Sequence, residues 1–264
     1  VLAIVAGVLF LAFQNMATSL QRQGIKLGFG FLENAAGFDI GESLIRYTNT
    51  DAFSRALLVG LLNTLLVSVL GIVLATLLGI PFGLLMGWNK KFYDYSLPLV
   101  ELIRPIPPLA WVPLAILVLP GSEPAVIFVT FLVAFFVTTL NTLLGVESID
   151  ENYFRAAKCL GASNKDILFD VVVPGALPYV FTGLQISMGA SWFSLVAGEM
   201  IAAQYGLGFL IWDSYSVIAY PVIFIGMATL GIIGWASSAL VRVVGRKLMA
   251  WREAELSGGA RVEG

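Results

Sequence analysis

The chain has 264 residues, 58% of them hydrophobic and only 12% charged, against about 25% charged in a soluble domain. It therefore reads as an integral membrane protein, of a length that suits one bundle of helices. A net charge of −2 with no histidine and one cysteine, Cys159, implies no nucleic-acid partner, no common zinc site, no Ser-His or Cys-His dyad and no internal disulfide framework.

Val1 to Phe13 is apolar but too short to span, since a helix crossing a bilayer needs about 20 residues. It reads as the outer part of a first span, with a signal-peptide core as the rival. Gln14 to Arg55 is the longest polar interlude. It carries Arg22, Lys26, Glu33, Asp39, Glu42, Arg46, Asp51 and Arg55, and its glycines break any long helix. Phe29, Phe31 and Phe38 place part of it against the membrane surface. Ala56 to Ile80 is an uncharged span, after which Pro81 and Gly79, Gly83 and Gly87 are expected to loosen the helix. Asn89-Lys90-Lys91 marks a water-facing turn. Leu97 to Leu119 is an unusual span holding Glu101, Arg104 and five prolines (98, 105, 107, 108, 113). Proline removes a backbone donor and kinks a helix, and broken backbone at membrane depth survives only where protein buries it or it lines a cavity.

Pro120 to Glu123 is a turn, and Pro124 to Gly145 spans without a charge. A polar island follows at about residues 146–175, which Pro174 is expected to close. Within it, Asp150 or Asn152 can cap a helix at about Asn152 to Leu160, and Gly161 can end it. Ala176 to Gly198 spans again with many small residues, which permit close helix contact in lipid. Glu199 to Ser216 is semi-polar, and Ile218 to Val241 is the last span. With the island inside, the inner segments hold ten Lys/Arg and the outer segments four, in agreement with the positive-inside rule. Six spans with both termini inside is the consistent count.

The island reads Arg155-Ala156-Ala157, Gly161, Val171, Val173-Pro174. It resembles the docking loop of permease subunits of ATP-binding-cassette (ABC) importers: Glu-Ala-Ala, three residues, Gly, nine residues, Ile, one residue, Leu-Pro. The spacing matches throughout, with Arg155 in place of the glutamate. Arg104-Pro105-Ile106-Pro107-Pro108-Leu109-Ala110-Trp111-Val112-Pro113, Ala197-Gly198-Glu199-Met200 and Gly206-Leu207-Gly208 are similar to permeases for nitrate, sulfonates and taurine. Gly24 to Leu65 is similar to polar amino-acid permeases.

The resemblance implies an all-α membrane protein with the type I ABC importer permease fold, its single permease domain covering residues 1–264. It implies a path for a small anion such as taurine, another sulfonate, nitrate or bicarbonate, or, on the alternative reading, for polar amino acids. It implies a bacterial inner-membrane location and no catalytic group. Expected partners are two cytoplasmic ATPase subunits holding ATP and magnesium, a second permease copy, an extracytoplasmic solute-binding protein and membrane lipid. No cofactor or metal is expected on this chain, which has no Gly-x-x-x-x-Gly-Lys-Ser/Thr loop for phosphate.

Docking is expected at Arg155, Ala156, Ala157, Gly161, Asn164, Lys165 and Pro174, and the substrate path at Arg104, Trp111, Ser191, Trp192 and Glu199. Four of the path residues have a plainer reading. Arg104 can serve function or pair with Glu101 three residues earlier on one helix face. Glu199 and Asp213 suit a solvated rim, and Trp111 and Trp192 suit interface anchors. Cys159 suits a small packing residue in the docking helix, and Asn63 and Asn141 suit bonds between helices. An intramembrane enzyme lacks paired catalytic groups here, and a channel lacks a filter motif or charged ring.

Overall fold

In the computed structural model, residues 29–41 and 43–249 are described, together with 7, 10, 11, 14, 15 and 18. The expected first span, the signal-peptide alternative, Glu42 and the C-terminal tail lie outside them or are only touched by them. A short 3-10 helix spans Phe29–Glu33. The helices are α1 (Phe53–Trp88), α2 (Lys90–Ile103), α3 (Pro108–Val118), α4 (Ser122–Glu147), α5 (Glu151–Cys159), α6 (Val173–Ala202), α7 (Leu207–Ser216) and α8 (Tyr220–Leu248).

α1 is longer than the apolar run that begins it. Its 36 residues include Pro81 and extend about 54 Å at about 1.5 Å per residue. The glycines do not loosen it, because they face another helix. A Cβ on Gly71 would fall 2.9 Å from the Thr130 side chain, and one on Gly83 would fall 2.5 Å from the Thr139 carbonyl oxygen. One on Gly87 would meet Val146. The residues along α1 therefore meet α4 in ascending order, and the two helices run parallel at backbone contact. Small residues make such an approach available where lipid gives no hydrophobic drive. Replacing Gly83 by alanine forces a shift in this seam and is expected to cost on the order of 1–3 kcal/mol. A thermal-unfolding series in detergent measures the loss.

The parallel course of α1 and α4 settles the connection between them. The segment 89–121 must carry the chain back across the bundle. It does so as α2 and α3, bent by 96° at a break. The expected span Leu97–Leu119 is thus corrected to a broken pair starting at Lys90. The Asn89 side chain accepts the Lys91 and Phe92 amides, and Pro105 and Pro107 occupy the break. Among the described residues four helices are long and apolar enough to cross a membrane, and the bent pair makes five.

α6 runs antiparallel to α4. Gly145 packs on Ala176, Gly183 on Asn141 and Gly198 on Val126. Pro174 does not close the island, because helical backbone runs without interruption from Asn164 to Ala202. A π turn at Ile167–Val172 precedes the proline, and the Val173 amide reaches back five residues to the Leu168 carbonyl. A proline lacks an N–H and its ring crowds the carbonyl four residues earlier, so the wider turn accommodates it. α8 packs last, antiparallel to α6, with Gly245 on Phe181 and Gly234 near Trp192, and its Gly226 meets Ile211 of α7.

The segment before α1 caps the end of the bundle where α7 lies. Phe38, Tyr47 and Phe53 cluster with Leu207, Leu210 and Val222. The Arg55 guanidinium donates to the Arg46 carbonyl at 2.6 Å and 3.0 Å. Asn63 ties this cap to α1 by accepting the Leu44 amide at 3.4 Å. Asn141 donates to Val137 of its own helix at 2.8 Å, so that bond does not run between helices as expected.

Candidate functional site

α5 and the turn after it form an exposed surface at the far end of the bundle. The helix begins at Asp150, whose carboxylate accepts the Asn152 amide at 2.8 Å. It ends at Gly161, whose φ of +81° is the left-handed conformation that favours glycine. There the Gly161 amide donates to the Lys158 carbonyl and the Ala162 amide to the Ala157 carbonyl, each at 3.0 Å. These two bonds satisfy carbonyls left open at the helix end and form a Schellman stop. The expected helix is present one residue earlier at each end, and its stop is at Gly161 as expected. Ser163 and Asp166 then form a capping box that starts the next turn.

No residue of α5 is buried. Arg155, Ala156, Gly161, Asn164 and Lys165 are exposed, Ala157 and Pro174 half-buried. Arg155 is held by Glu151 one turn earlier at 2.8 Å, an exposed pair that contributes little stability. Cys159 is exposed and does not pack into the helix as expected. The loop is seated from below by Phe154, Ala157 and Ala162, which meet Val146, Ile167, Val172 and Ala176, with Leu84 and Trp88 of α1 beside them. α5 is thus a rigid, outward-facing lever set on the ends of three spanning helices. Behind it lies a cleft of about 410 Å³ lined by Ser148, Asp150, Tyr153, Asp170 and Pro174 among others.

The five path residues do not converge on one cavity. Arg104 and Glu101 are exposed at the break between α2 and α3, and they do not form an ion pair with each other. Trp111 is half-buried and meets Phe128 edge-on at 6.5 Å between ring centroids. Its indole nitrogen is buried without a hydrogen-bond partner, and so is the Ser191 hydroxyl. Trp192 is no interface anchor, being only 9% exposed and donating to the Ser237 hydroxyl of α8 at 2.9 Å.

Glu199 departs furthest from expectation. It is not a solvated rim residue but is fully buried. One carboxylate oxygen accepts the Thr64 hydroxyl at 2.7 Å and the other accepts the Gly208 amide at 2.8 Å. The Thr64 hydroxyl oxygen in turn accepts the Leu207 amide at 2.8 Å. The two amides are the first donors of α7, which have no intrahelical acceptor, and the helix N-terminus favours an acidic group there. One side chain so fastens α1, α6 and α7 at a point. The glycines around it follow from this packing, since a Cβ on Gly206 would overlap the carboxylate and one on Gly208 would meet the Val196 carbonyl. Thr64 was missing from the candidate residues. Its signal was indirect: a lone carboxylate in an otherwise uncharged run needs donors from elsewhere in the fold. Asp213, the other proposed rim residue, is half-buried.

Comparison with known proteins adds the following. Residues 79–250 match the family described as "binding-protein-dependent transport system inner membrane component". The chain is 38% identical over 151 residues to the nitrate import permease NrtB of Synechocystis, covering 57% of this chain and 55% of that one. It is 39% identical over 154 residues to the taurine transport permease TauC of Escherichia coli, with 58% and 56% covered. A "probable ABC transporter permease protein" of Brucella abortus is 40% identical over 169 residues, with 64% and 68% covered. The match thus spans little more than half the length of the nitrate and taurine permeases. Among solved structures, the chain superposes on an inward-facing MetNI methionine ABC transporter with a TM-score of 0.64 at 22% identity, covering 73% of this chain and 96% of that one. An amino-acid ABC transporter gives a TM-score of 0.62 at 18% identity, with 74% and 95% covered. At these identities the likeness is one of fold.

Proposed function

This chain belongs to the family of binding-protein-dependent transport system inner membrane components, and from that premise we propose that it is the membrane-spanning subunit of an ATP-driven importer for a small anion. Taurine, another sulfonate, nitrate and bicarbonate are the candidate solutes. The observation that carries the reading is α5, which has no buried residue and lies between two spanning helices, within the matched family region.

Residues 1–264 form one permease domain in a bacterial inner membrane, with both termini and α5 on the cytoplasmic side. Two copies pair around one path. Two ATPase subunits, which hold ATP and magnesium, each grip one α5 at Arg155, Ala156, Ala157, Gly161, Asn164, Lys165 and Pro174. A solute-binding protein delivers cargo at the end capped by residues 29–52 and α7. Closure of the ATPases moves α5, and the core beneath it passes that motion to α1, α4 and α6.

The names of the relatives above favour an anion. The amino-acid reading rests on Gly24 to Leu65 and on structural neighbours that speak for fold alone. Uptake by the reconstituted complex, compared for taurine, alkanesulfonates, nitrate, bicarbonate and glutamate, separates them. Anion uptake dependent on ATP is the expected result. Glutamate uptake alone overturns the anion reading, and no uptake without ATP but binding to nucleotide by this chain overturns the subunit assignment.

Arg104 is the residue of this path with the clearest expectation. It is exposed at the break without Glu101 as its ion-pair partner, and a cation at a helix centre costs about 3 kcal/mol on insertion scales. Facing the path and meeting the anion would offset that cost. Arg104→Gln is expected to lower the transport rate several-fold more than it lowers the amount of assembled complex. Equal losses in the two measurements would make the residue scaffolding.

A further inference from the structure

Among the described residues, Ile218 is the one non-glycine residue with positive φ, at +60°. The left-handed region is poorly suited to a β-branched side chain, and glycine is the default there. The surrounding bonds show why the conformation is imposed. The Ile218 amide donates to the Tyr215 carbonyl at 3.2 Å and the Ala219 amide to the Ser214 carbonyl at 2.8 Å. This is the same stop that ends α5, with isoleucine where α5 has Gly161. Burial does not compensate the strain within the chain, because Ile218 is 60% exposed. A strained isoleucine at a surface position, where the helix stop needs only the backbone and burial returns nothing, points to a contact made outside the chain.

Ile218 belongs to an apolar patch. Val217, Tyr215 and Trp212 are also largely exposed, and the Trp212 and Tyr215 rings lie 5.9 Å apart, tilted by 31°. The opposite side of α7 is packed through Leu207, Leu210 and Ser214, and its start is pinned by Glu199. No charged residue occurs from Ser214 to Val241, and the next basic residue is Arg242. The roughly 22 residues from Tyr220 to Val241 rise about 33 Å at about 1.5 Å each, close to the about 30 Å of a hydrocarbon core. With Arg242 at one boundary, Ile218 falls at the other, at headgroup level. Trp and Tyr collect at that depth, and the patch leads into the exposed Phe224 and Met227 of α8.

We propose that α7 lies in the membrane interface and that the Trp212, Tyr215, Val217 and Ile218 patch is inserted into the lipid boundary, with Ile218 as its wedge. The inference uses the membrane-spanning course of α8, not the identity of the solute or the ATPase. An anchored α7 would hold the Glu199 pin at a fixed depth.

The test uses the full chain with Cys159→Ser and Ile218→Cys, spin-labelled in phosphatidylcholine–phosphatidylglycerol liposomes. Power saturation then compares collisions with oxygen and with a water-soluble nickel chelate. The expected label at position 218 is shielded from nickel and open to oxygen, at a depth near the phosphates, while a control label at Thr50 is open to nickel. A Tyr215→Cys label on the same patch is read in parallel, should the first variant not fold. Nickel access at 218 and 215 equal to that at Thr50 overturns the proposal. So does shielding that appears only on adding a solute-binding protein, or only above the concentration at which the chain dimerises. Ile218→Gly keeps the helix stop and removes the wedge. It is expected to raise the nickel access of the Tyr215→Cys label at least twofold, and unchanged access counts against insertion.

Discussion

Replacing Glu199 by alanine is expected to remove most of the folded protein from the membrane fraction, whatever the solute. The substitution deletes both acceptors at once. The Gly208 amide, bonded to the carboxylate at 2.8 Å, is left buried without a partner, and the Thr64 hydroxyl, which keeps the Leu207 amide, loses the acceptor it met at 2.7 Å. An orphaned buried amide costs about 1–3 kcal/mol, and the cavity left by the side chain adds to it. Water is not at hand to replace the bonds, because Glu199 is fully buried. Glutamine is expected to behave differently. Its carbonyl oxygen can keep the Gly208 amide and its NH2 can donate to the Thr64 oxygen, which has a second lone pair. The Thr64 proton then turns to its own helix, as threonine hydroxyls commonly do. The test is the yield of monodisperse protein in detergent for Ala, Gln and wild type. A Glu199→Ala protein as abundant and as heat-stable as wild type would mean that the three-helix pin contributes nothing.

The second large effect is expected at Gly161, and it differs in kind. Gly161→Leu should abolish coupled uptake while leaving insertion intact. A Cβ here meets nothing within 4 Å, and the position is strained only by its φ of +81°. The left-handed backbone costs a side chain roughly 1–2 kcal/mol, which a bundle seated on three spanning helices tolerates. The leucine side chain instead projects from the exposed stop of α5, where an ATPase subunit is proposed to dock. A loss of about 1.4 kcal/mol in that contact lowers affinity tenfold, and a bulky side chain held off by steric clash is expected to exceed that. Asparagine, which accepts left-handed backbone, should fall between glycine and leucine. Co-purification of the ATPase and ATP-dependent uptake are the two readouts. Normal uptake by Gly161→Leu would remove α5 as the docking element.

Much of this architecture was legible in the sequence, because the bilayer makes the code simple. Long uncharged runs have to become helices when no water is present to satisfy the backbone, so the runs at 56–80, 124–145, 176–198 and 218–241 located the starts of the spanning helices within three residues, while the helices that end at Trp88 and Leu248 run on past the uncharged runs. The island between them could not enter lipid, and the pairing of Asp150 with Gly161 carries its own start and stop signals in local backbone chemistry. Helix α5 could therefore be placed without knowing anything it touches.

What the tertiary structure decided are the contacts between residues far apart in the chain. Pro81 reads as loosening a helix and Pro174 as closing the island, since a proline removes a donor wherever it occurs. Whether the helix ends there depends on what packs around it: the seam with α4 in one case and a π turn in the other. The fate of Glu199 depended on Thr64, which lies 135 residues earlier. A carboxylate among apolar residues looks like a rim residue until a hydroxyl and the bare amides of α7 are brought to it. Periodicity and composition report the solvent each stretch prefers. Only the packed bundle determines which donor meets which acceptor, because that choice rests on distances of about 3 Å between groups that local sequence does not relate.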